Sequence, residues 1–191
     1  MESTSNKRLD LSTRLRNKVR IEHNNTVTIS SGAKLRDCNI SIKGQNNRLV
    51  IESGVNIRKT QIEIDGNHCT VYIGKDCVIG HGCYLSSREI KTELMLGANC
   101  MLSRNVKVMT SDGHDILKGG KRINPAQSIS IGEQVWLADN TTVLKGVKIG
   151  DNSIVGINST LTKSIASGSI AVGNPAKVVQ TDISWRSDLT Y

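Results

Sequence analysis

Large aliphatic residues recur at every sixth position in the C-terminal part of the chain. Six successive positions of this kind are Ile131, Leu137, Val143, Ile149, Val155 and Leu161. Apolar or small residues stand two positions before each of them, and a small residue often follows. A helix of about 3.6 residues per turn cannot keep a six-residue repeat on one face. Alternation within each block instead indicates short strands that end in turns.

The same alternation continues upstream with less regular spacing. Inward pairs such as Val71/Ile73 and Leu94/Leu96 are separated by turn clusters, for example at residues 44–47 and 65–67. Short strands joined by small-residue turns predict a solenoid of stacked coils. Three six-residue faces make a coil of about 18 residues and allow about six or seven coils. A β-sandwich is the alternative, but its strands follow one another less evenly, at about 8–12 residues.

Blocks of an aliphatic residue followed by Gly mark three segments of the C-terminal half: residues 131–137, 147–156 and 172–178. The first begins Ile-Gly-Glu-Gln-Val-Trp, and the last reads Val-Gly-Asn-Pro-Ala-Lys-Val. These blocks resemble the hexapeptide-repeat acyltransferases, most of all the sugar O-acetyltransferases of capsular and other surface polysaccharides. The resemblance implies an all-β fold, namely a left-handed parallel β-helix. It also implies acetyl-CoA as co-substrate and a homotrimer with active sites between subunits.

The repeat breaks once, between Val108 and Ile129, which predicts a long protruding loop at about 109–128. A loop of that length in a tight solenoid is often functional. It holds His114, one of four His in the chain. The resemblance implies that His114 is the general base that takes the proton of the acceptor hydroxyl. A neutral imidazole is chemically suited to that task.

Other polar residues of the loop are candidates for supporting roles. The second ring nitrogen of His114 needs a partner that fixes its tautomer, and Asp112 and Asp115 are both candidates. A backbone carbonyl is a further possibility, and the sequence leaves the choice open. We expect Lys121 and Arg122 to help shape the acceptor site.

Trp136 is the one aromatic residue within the regular repeats of the C-terminal half. Its neighbours Val135 and Leu137 belong to the inward row, so strand alternation turns Trp136 outward. The resemblance places a Trp here beside the active site and makes it acceptor-binding, while a subunit contact is the alternative. Trp185 and Tyr191 lie in the C-terminal tail, where packing across coils or subunits is the simpler interpretation.

The resemblance also implies where acetyl-CoA lies, along the groove between subunits at the turns of the C-terminal coils. The matching positions are Ala138, Ile157, Thr162, Lys163 and Lys177. Ile157 departs from the small residue that is usual there. The two Lys are suited to phosphate groups as point charges.

Composition agrees with strands and narrows the partners. The chain of 191 residues has 21 Ile and 15 Val but 7 Ala and 7 Glu, a balance that favours strands over helices. Its net charge is +8, half of it within residues 1–20, which suits an anionic partner. Nucleic acid is not expected, because stacking aromatics and DNA-binding motifs are missing. The sequence has no run of about 18 apolar residues, so no membrane span is predicted.

The Cys and His residues favour a reduced, metal-free protein. Cys69, Cys77, Cys83 and Cys100 alternate with inward aliphatics, so they are expected to be small core residues. Five Cys without a secretory signal indicate free thiols in the cytosol. The nearest His pair, His68 and His81, is thirteen residues apart, and we therefore expect no metal site.

These observations predict an acetyl-CoA-dependent O-acetyltransferase that modifies a sugar hydroxyl, in a surface or capsular polysaccharide. Its parts would be a basic polar N-terminal segment (1–20), a β-helix domain (21–180) and a C-terminal tail (181–191). We expect a cytoplasmic protein, with peripheral association to the inner membrane face left open. The alternatives are an N-acyltransferase on a nucleotide-linked amino sugar, a xenobiotic acetyltransferase, or a non-catalytic β-helix scaffold.

Overall fold

The computed structural model describes residues 11–188 and consists of seven stacked coils. Each coil contributes strands to three faces, which we call sheets A, B and C. Sheet A has seven strands, sheet B six, and sheet C eight including a terminal hairpin strand. All pairings between successive coils are parallel, which confirms the predicted solenoid.

The elements follow one another in regular order along the chain. A short helix α1 (Leu11–Arg16) precedes coils 1 and 2, which contain β1 (Lys18–Ile21), β2 (Thr26–Ile29), β3 (Lys34–Arg36), β4 (Asn39–Lys43), β5 (Arg48–Ile51) and β6 (Asn56–Arg58). Coils 3 and 4 contain β7 (Gln61–Asn67), β8 (Thr70–Ile73), β9 (Val78–Ile79), β10 (Tyr84–Ile90), β11 (Glu93–Leu96) and β12 (Met101–Leu102).

The later coils have shorter strands. Coil 5 contains β13 (Lys107–Met109), the small hairpin β14 (Leu117–Lys118) and β15 (Lys121–Arg122), then β16 (Ile129–Ile131) and β17 (Trp136–Leu137). Coils 6 and 7 contain β18 (Thr142–Val143), β19 (Lys148–Ile149), β20 (Ile154–Val155), β21 (Thr160–Leu161), β22 (Ile170–Gly173) and β23 (Ala176–Gln180).

The core is the inward row of aliphatic side chains that the six-residue pattern predicted. Leu85, for example, is fully buried and stacks between Ile62 below it and Val108 above it. Burial of such rows removes apolar surface from water, and each coil obtains this burial from its neighbours. The stacked rows therefore hold the whole domain together as one continuous cluster.

All five Cys are buried free thiols, as the alternation predicted for Cys69, Cys77, Cys83 and Cys100. Their sulfurs are directed at backbone carbonyls of the next coil, for example Cys83 Sγ at Ser103 O, 3.1 Å away. Burial raises the pKa of the Cys83 thiol to about 11. At neutral pH this thiol is protonated and unsuited to nucleophilic chemistry.

The coils are not all of the predicted length. Thr142 pairs with Thr160, 18 residues later, so the expected coil length is correct for coil 6. Gln61 pairs with Tyr84, 23 residues later, and the other early coils are similarly long. The extra residues lie at the edge between sheets A and B, where β7 and β10 each extend to seven residues. This edge is therefore wider in coils 2–4 than in coils 6–7.

Left-handed backbone conformations mark the corners of the coils. Between sheets B and C, positive φ recurs at Asp76, Asn99, Gln134 and Asn152. Asp and Asn tolerate this conformation best among residues with a side chain, which explains their abundance at the turns. Asn99 and Asn105 are accordingly turn residues.

The stack begins three residues before the predicted boundary at residue 21, and its last strand ends at residue 180. The first strand begins at Lys18, and α1 occupies part of the expected N-terminal segment, whose residues 1–10 lie outside the described residues. At the other end β23 turns back antiparallel against β22. Within residues 11–188, no helix is long and apolar enough to cross a membrane.

Candidate functional site

The C-terminal part of β10 extends beyond the end of β13, the neighbouring strand in the next coil. β13 pairs only with residues 84–86, whereas residues 87–90 pair with β7 below. We call residues 87–90 the ledge. Residues 110–128, the insertion loop, leave the stack directly above it and return at β16. Thr110 makes the first contact, since its Oγ1 accepts a hydrogen bond of 2.9 Å from the Arg88 backbone N–H.

Glu89 on the ledge holds the insertion loop at several points. Its carboxylate accepts two hydrogen bonds from the Arg122 guanidinium, at 2.9 and 2.7 Å, and one of 2.6 Å from Ser111 Oγ. The Ala126 N–H lies 3.4 Å from the same carboxylate. Hydrogen bonds from Arg122 and Ser111 hold the pKa of Glu89 at about 2. Glu89 has φ of 81°, which is unusual for a residue with a side chain and costly in itself.

A second set of contacts joins the insertion loop to coil 6. The Lys145 ammonium, with a side chain 17% exposed, donates to Asp112 Oδ2 at 2.5 Å and to the Asn124 carbonyl at 3.0 Å. The buried Asn124 amide donates to Asp112 Oδ2 and to the His114 carbonyl, both at 2.8 Å. The hydrogen bond from Lys145 is the main reason that the pKa of Asp112 lies below its ordinary value.

His114 lies on the exposed part of the insertion loop, and its backbone carbonyl accepts a hydrogen bond from the Asn124 amide. Asp112 contacts Lys145 and Asn124, and Asp115 lies 2.9 Å from Arg122 Nε. Among residues 11–188, no carboxylate forms a hydrogen bond with the His114 imidazole. Neither candidate orients the ring within one chain.

The two basic residues of the predicted acceptor site have different surroundings. Arg122 is engaged by Glu89 and Asp115, so it fastens the loop. Lys121 is exposed on the hairpin, beside a turn in which Gly119 and Gly120 both have positive φ. Lys121 thus has its ammonium toward solvent at the tip of the loop.

Trp136 is turned outward, as the alternation predicted, while Val135 and Leu137 are buried. Its indole packs on Trp185, with ring centroids 5.8 Å apart, and its Nε1 donates to Ser103 Oγ at 3.1 Å. Trp185 in turn donates from Nε1 to the Gln134 carbonyl at 2.6 Å. The tail therefore packs across a coil within the same chain, one of the two interpretations of Trp185. Tyr191 lies outside the described residues.

The positions matched to acetyl-CoA lie along the last three coils. Ala138 follows β17 and is half-buried, and Ile157 follows β20 and is 62% exposed. Thr162 and Lys163 are exposed after β21, and Lys177 is exposed on β23. Both ammonium groups are accessible to an anion.

The remaining His residues occupy turns. His68 has a positive φ of 58° and His81 is exposed at the start of a turn. Within residues 11–188, no group of three His, Cys, Asp or Glu side chains is arranged to hold a metal ion.

Sequence reasoning missed the residues that support the loop: Glu89, Asn124 and Lys145. They are separated from their partners by up to 37 residues, and the six-residue pattern carries no information about such contacts. The one signal was the irregular spacing upstream, which reflects the wider edge on which the ledge is built.

Comparisons with known proteins agree with the repeat and the fold. Residues 128–163 match the family model "Bacterial transferase hexapeptide (six repeats)". A polysialic acid O-acetyltransferase of Escherichia coli O1:K1 / APEC is 34% identical over 117 residues, which cover 60% of this chain and 38% of that protein. A polysialic acid O-acetyltransferase of Neisseria meningitidis is 32% identical over 128 residues, covering 66% of this chain and 58% of that protein.

A solved structure extends the likeness to almost the whole chain. The crystal structure of the polySia-specific acetyltransferase NeuO superposes with a TM-score of 0.76 at 28% identity, covering 90% of this chain and 88% of that one. The fold is thus a left-handed parallel β-helix, and residues 128–163 carry the hexapeptide repeat. The resemblance to the hexapeptide-repeat acyltransferases is confirmed. The chain spans 38% and 58% of the length of these two curated relatives.

Proposed function

We propose that this protein is an acetyl-CoA-dependent O-acetyltransferase that acts on a sugar hydroxyl, with His114 as its general base. The observation that carries the proposal is the insertion loop. It is the one long interruption of the described stack, it presents His114, and polar contacts fasten it on two sides. The named relatives, polysialic acid O-acetyltransferases, support the reaction class.

The reaction requires a stronger nucleophile than a neutral alcohol. The neutral imidazole of His114 accepts the proton as the acceptor oxygen attacks the thioester carbonyl of acetyl-CoA. The carbon–sulfur bond then breaks, and the CoA sulfur takes up the proton and leaves as the thiol. A positioned base of this kind contributes about 10²–10⁴-fold to the rate.

Fixing the loop serves this chemistry, because proton transfer depends on the position of the ring. Glu89 and Lys145 fasten the loop from the coil below and the coil above, and Asn124 holds the carbonyl of His114 itself. Such pre-organisation lowers the entropy that must be lost to reach the reactive geometry.

A homotrimer would complete the site. Within one chain Trp136 lies on sheet C. The insertion loop that carries His114 leaves the stack at the edge between sheets A and B, which is opposite sheet C. We propose that His114 of one subunit meets Trp136 of the next, so that acceptor and acetyl-CoA bind between them. Exposed Ile116, Leu117 and Ile123 on the insertion loop give the loop an apolar surface that a neighbouring subunit would cover.

Acetyl-CoA would lie along the C-terminal coils. Ala138 and Ile157 would line its pantetheine, Thr162 would contact the same arm, and Lys163 and Lys177 would bind its phosphates. The acceptor class that we propose is an acidic surface or capsular polysaccharide, modified in the cytoplasm. The net charge of +8 and the two polysialic acid relatives support it.

Release of free thiol from acetyl-CoA tests the reaction. Sugar alcohols, polysialic acid among them, should stimulate release and gain an alkali-labile ester, while amino sugars should give little amide. Preferential amide formation would assign the protein to the N-acyltransferases. No thiol release with any acceptor, together with no binding of acetyl-CoA, would favour the scaffold. Sedimentation should show a trimer, and a fully active monomer would contradict the shared site.

A further inference from the structure

Arg88 is the cation of the ledge, and its guanidinium lies next to the turn that precedes His114. Its Nη1 would be 3.8 Å from a Cβ built at Gly113. The side chain is one third exposed, so part of the guanidinium is open to a ligand while the rest is packed. No part of the proposed mechanism has used this residue.

Most donors of the Arg88 guanidinium are unused. A guanidinium has five N–H donors. Nη2 donates to Glu63 Oε1 at 2.6 Å, and within residues 11–188 this is the one hydrogen bond that the side chain makes. Nε is buried without a partner among those residues. Nη1 also makes no hydrogen bond within residues 11–188 and is not buried, so it is the donor that a further acceptor could reach.

The guanidinium is held in place before any ligand arrives. Glu63 accepts a hydrogen bond of 2.7 Å from the Tyr84 hydroxyl through its other oxygen, Oε2. Burial alone would raise the pKa of Glu63, but Tyr84 and Arg88 together lower it, so the partner of Arg88 stays ionised. The backbone N–H of Arg88 is fixed by Thr110.

The carboxylates around the neighbouring loop each contact a cation. Glu89 and Asp115 contact Arg122, and Asp112 contacts Lys145. An arriving carboxylate would therefore meet the Nη1 end of Arg88 beside carboxylates that each have a cationic partner. The planar fork of Arg matches a carboxylate better than a Lys ammonium does.

We propose that Arg88 is a specificity-determining residue that binds the carboxylate of an acidic sugar and orients the acceptor hydroxyl toward His114. The proposal rests on the proposed function and deepens it, because it assigns the preference for acidic acceptors to one side chain. Arg88 binds and positions the acceptor; it takes no part in the proton transfer.

The test compares an oligomer of sialic acid with the same oligomer after reduction of its carboxyl groups. In Arg88→Gln the ratio of kcat/KM for the acidic acceptor to that for the reduced one should fall by about tenfold or more, the worth of a hydrogen bond to a charged group. The KM for acetyl-CoA should stay within about twofold, since Arg88 does not contact the donor. Arg88→Lys should keep part of the preference.

Arg36→Gln is the matched control, because it removes one exposed positive charge on sheet C in coil 1, three coils below the ledge. An equal loss of preference in this control would mean a general charge effect and would overturn the assignment. So would an Arg88→Gln variant that loses both acceptors equally, since that is the behaviour of a residue that only supports the loop. Thermal unfolding of each variant shows whether it is folded.

Direct binding of the acidic oligomer separates this proposal from the proposed function. If the wild type binds it through Arg88 but transfers no acetyl group, the enzyme proposal fails and the carboxylate site stands. If the acceptor is acetylated and Arg88→Gln binds both oligomers with unchanged affinity, the enzyme proposal stands and the carboxylate site is wrong.

Discussion

The stack of coils and the insertion loop are stabilised by different kinds of contact. In the stack every inward side chain packs on its equivalents in the coils above and below, and the contacts are apolar and repeated. The loop has exposed aliphatic residues and a small set of polar contacts, centred on Glu89 and Lys145. Loss of one polar contact is therefore expected to change the loop far more than the fold.

This difference separates stability from activity along the chain. Substitutions of inward residues should lower the free energy of unfolding, whereas substitutions at the loop should lower turnover and leave the stack intact. The following experiments test that separation, from the largest expected effect to the smallest.

Replacement of His114 by Ala should lower kcat by about 10²–10⁴-fold, because no base then takes the acceptor proton. The melting temperature should hardly change, since the ring lies outside the inward rows. Steady-state kinetics and calorimetry check both parts. His81→Ala, at an exposed turn on coil 3, is the control and should behave as the wild type. More than a tenth of the activity remaining in His114→Ala would rule this residue out as the base.

Replacement of Leu85 by Ala should lower the free energy of unfolding by about 2–5 kcal/mol, as a fully buried Leu leaves a cavity between two coils. Val78→Ala, at an outward and 44% exposed position one coil lower, should cost about 0.5 kcal/mol or less. Denaturant titration measures both values. Equal losses in the two variants would contradict the inward assignment of this row. Turnover of folded Leu85→Ala should remain close to that of the wild type.

Replacement of Glu89 by Gln should free Arg122 and loosen the loop. We expect kcat to fall by about tenfold, with a near-normal melting temperature, because the loss is of loop positioning and the stack is unchanged. Trypsin should cut after Lys121 and Arg122 faster than in the wild type. Glu93→Gln, an exposed carboxylate on the next strand, is the control. Unchanged kcat and an unchanged cleavage rate in Glu89→Gln would show that the contacts of Glu89 do not position the insertion loop.

Acid should weaken the same contacts between Glu89 and the insertion loop. The pKa of Glu89, about 2, is below its ordinary 4.5, so its contribution is complete above pH 4.5 and is lost as the pH falls toward 2. Hydrogen exchange of residues 110–128, corrected for intrinsic rates, should accelerate over that interval before the inward strands exchange. The Glu89→Gln variant should lack most of this pH dependence.

Replacement of Trp185 by Ala should have the smallest effect. It removes one partner of the Trp136 ring, and such an aromatic pair contributes about 0.5–1.5 kcal/mol beyond its buried area. The fluorescence of the remaining Trp136 should move to longer wavelength, because the face of its ring becomes accessible to water. An unchanged spectrum would mean that the tail does not cover Trp136 in solution.

The sequence alone predicted the solenoid, the inward rows and the break that forms the insertion loop. These follow from periodicity, because an inward position repeats its chemistry in every coil. The coil length of about 18 residues is correct for coil 6, whereas the early coils are longer because of the turns at the edge of sheets A and B, where the sequence showed less regular spacing.

The supports of the loop could not be predicted. Arg122 was expected to meet the acceptor, yet it contacts Glu89, 33 residues earlier in the chain. The contact exists because β10 extends past β13, and that depends on how coils of unequal length stack. Local sequence patterns do not contain this information, whereas the outward position of Trp136 needed only its two neighbours.

The closing hairpin of β22 and β23 has a consequence for how the protein behaves at high concentration. A parallel stack has unpaired strand edges at both ends, and such edges can recruit further strands into fibres. Here β23 reverses direction over sheet C, and the last strands of sheets A and B have only two residues each. A second molecule therefore finds few backbone groups in register, so the upper end resists filament growth.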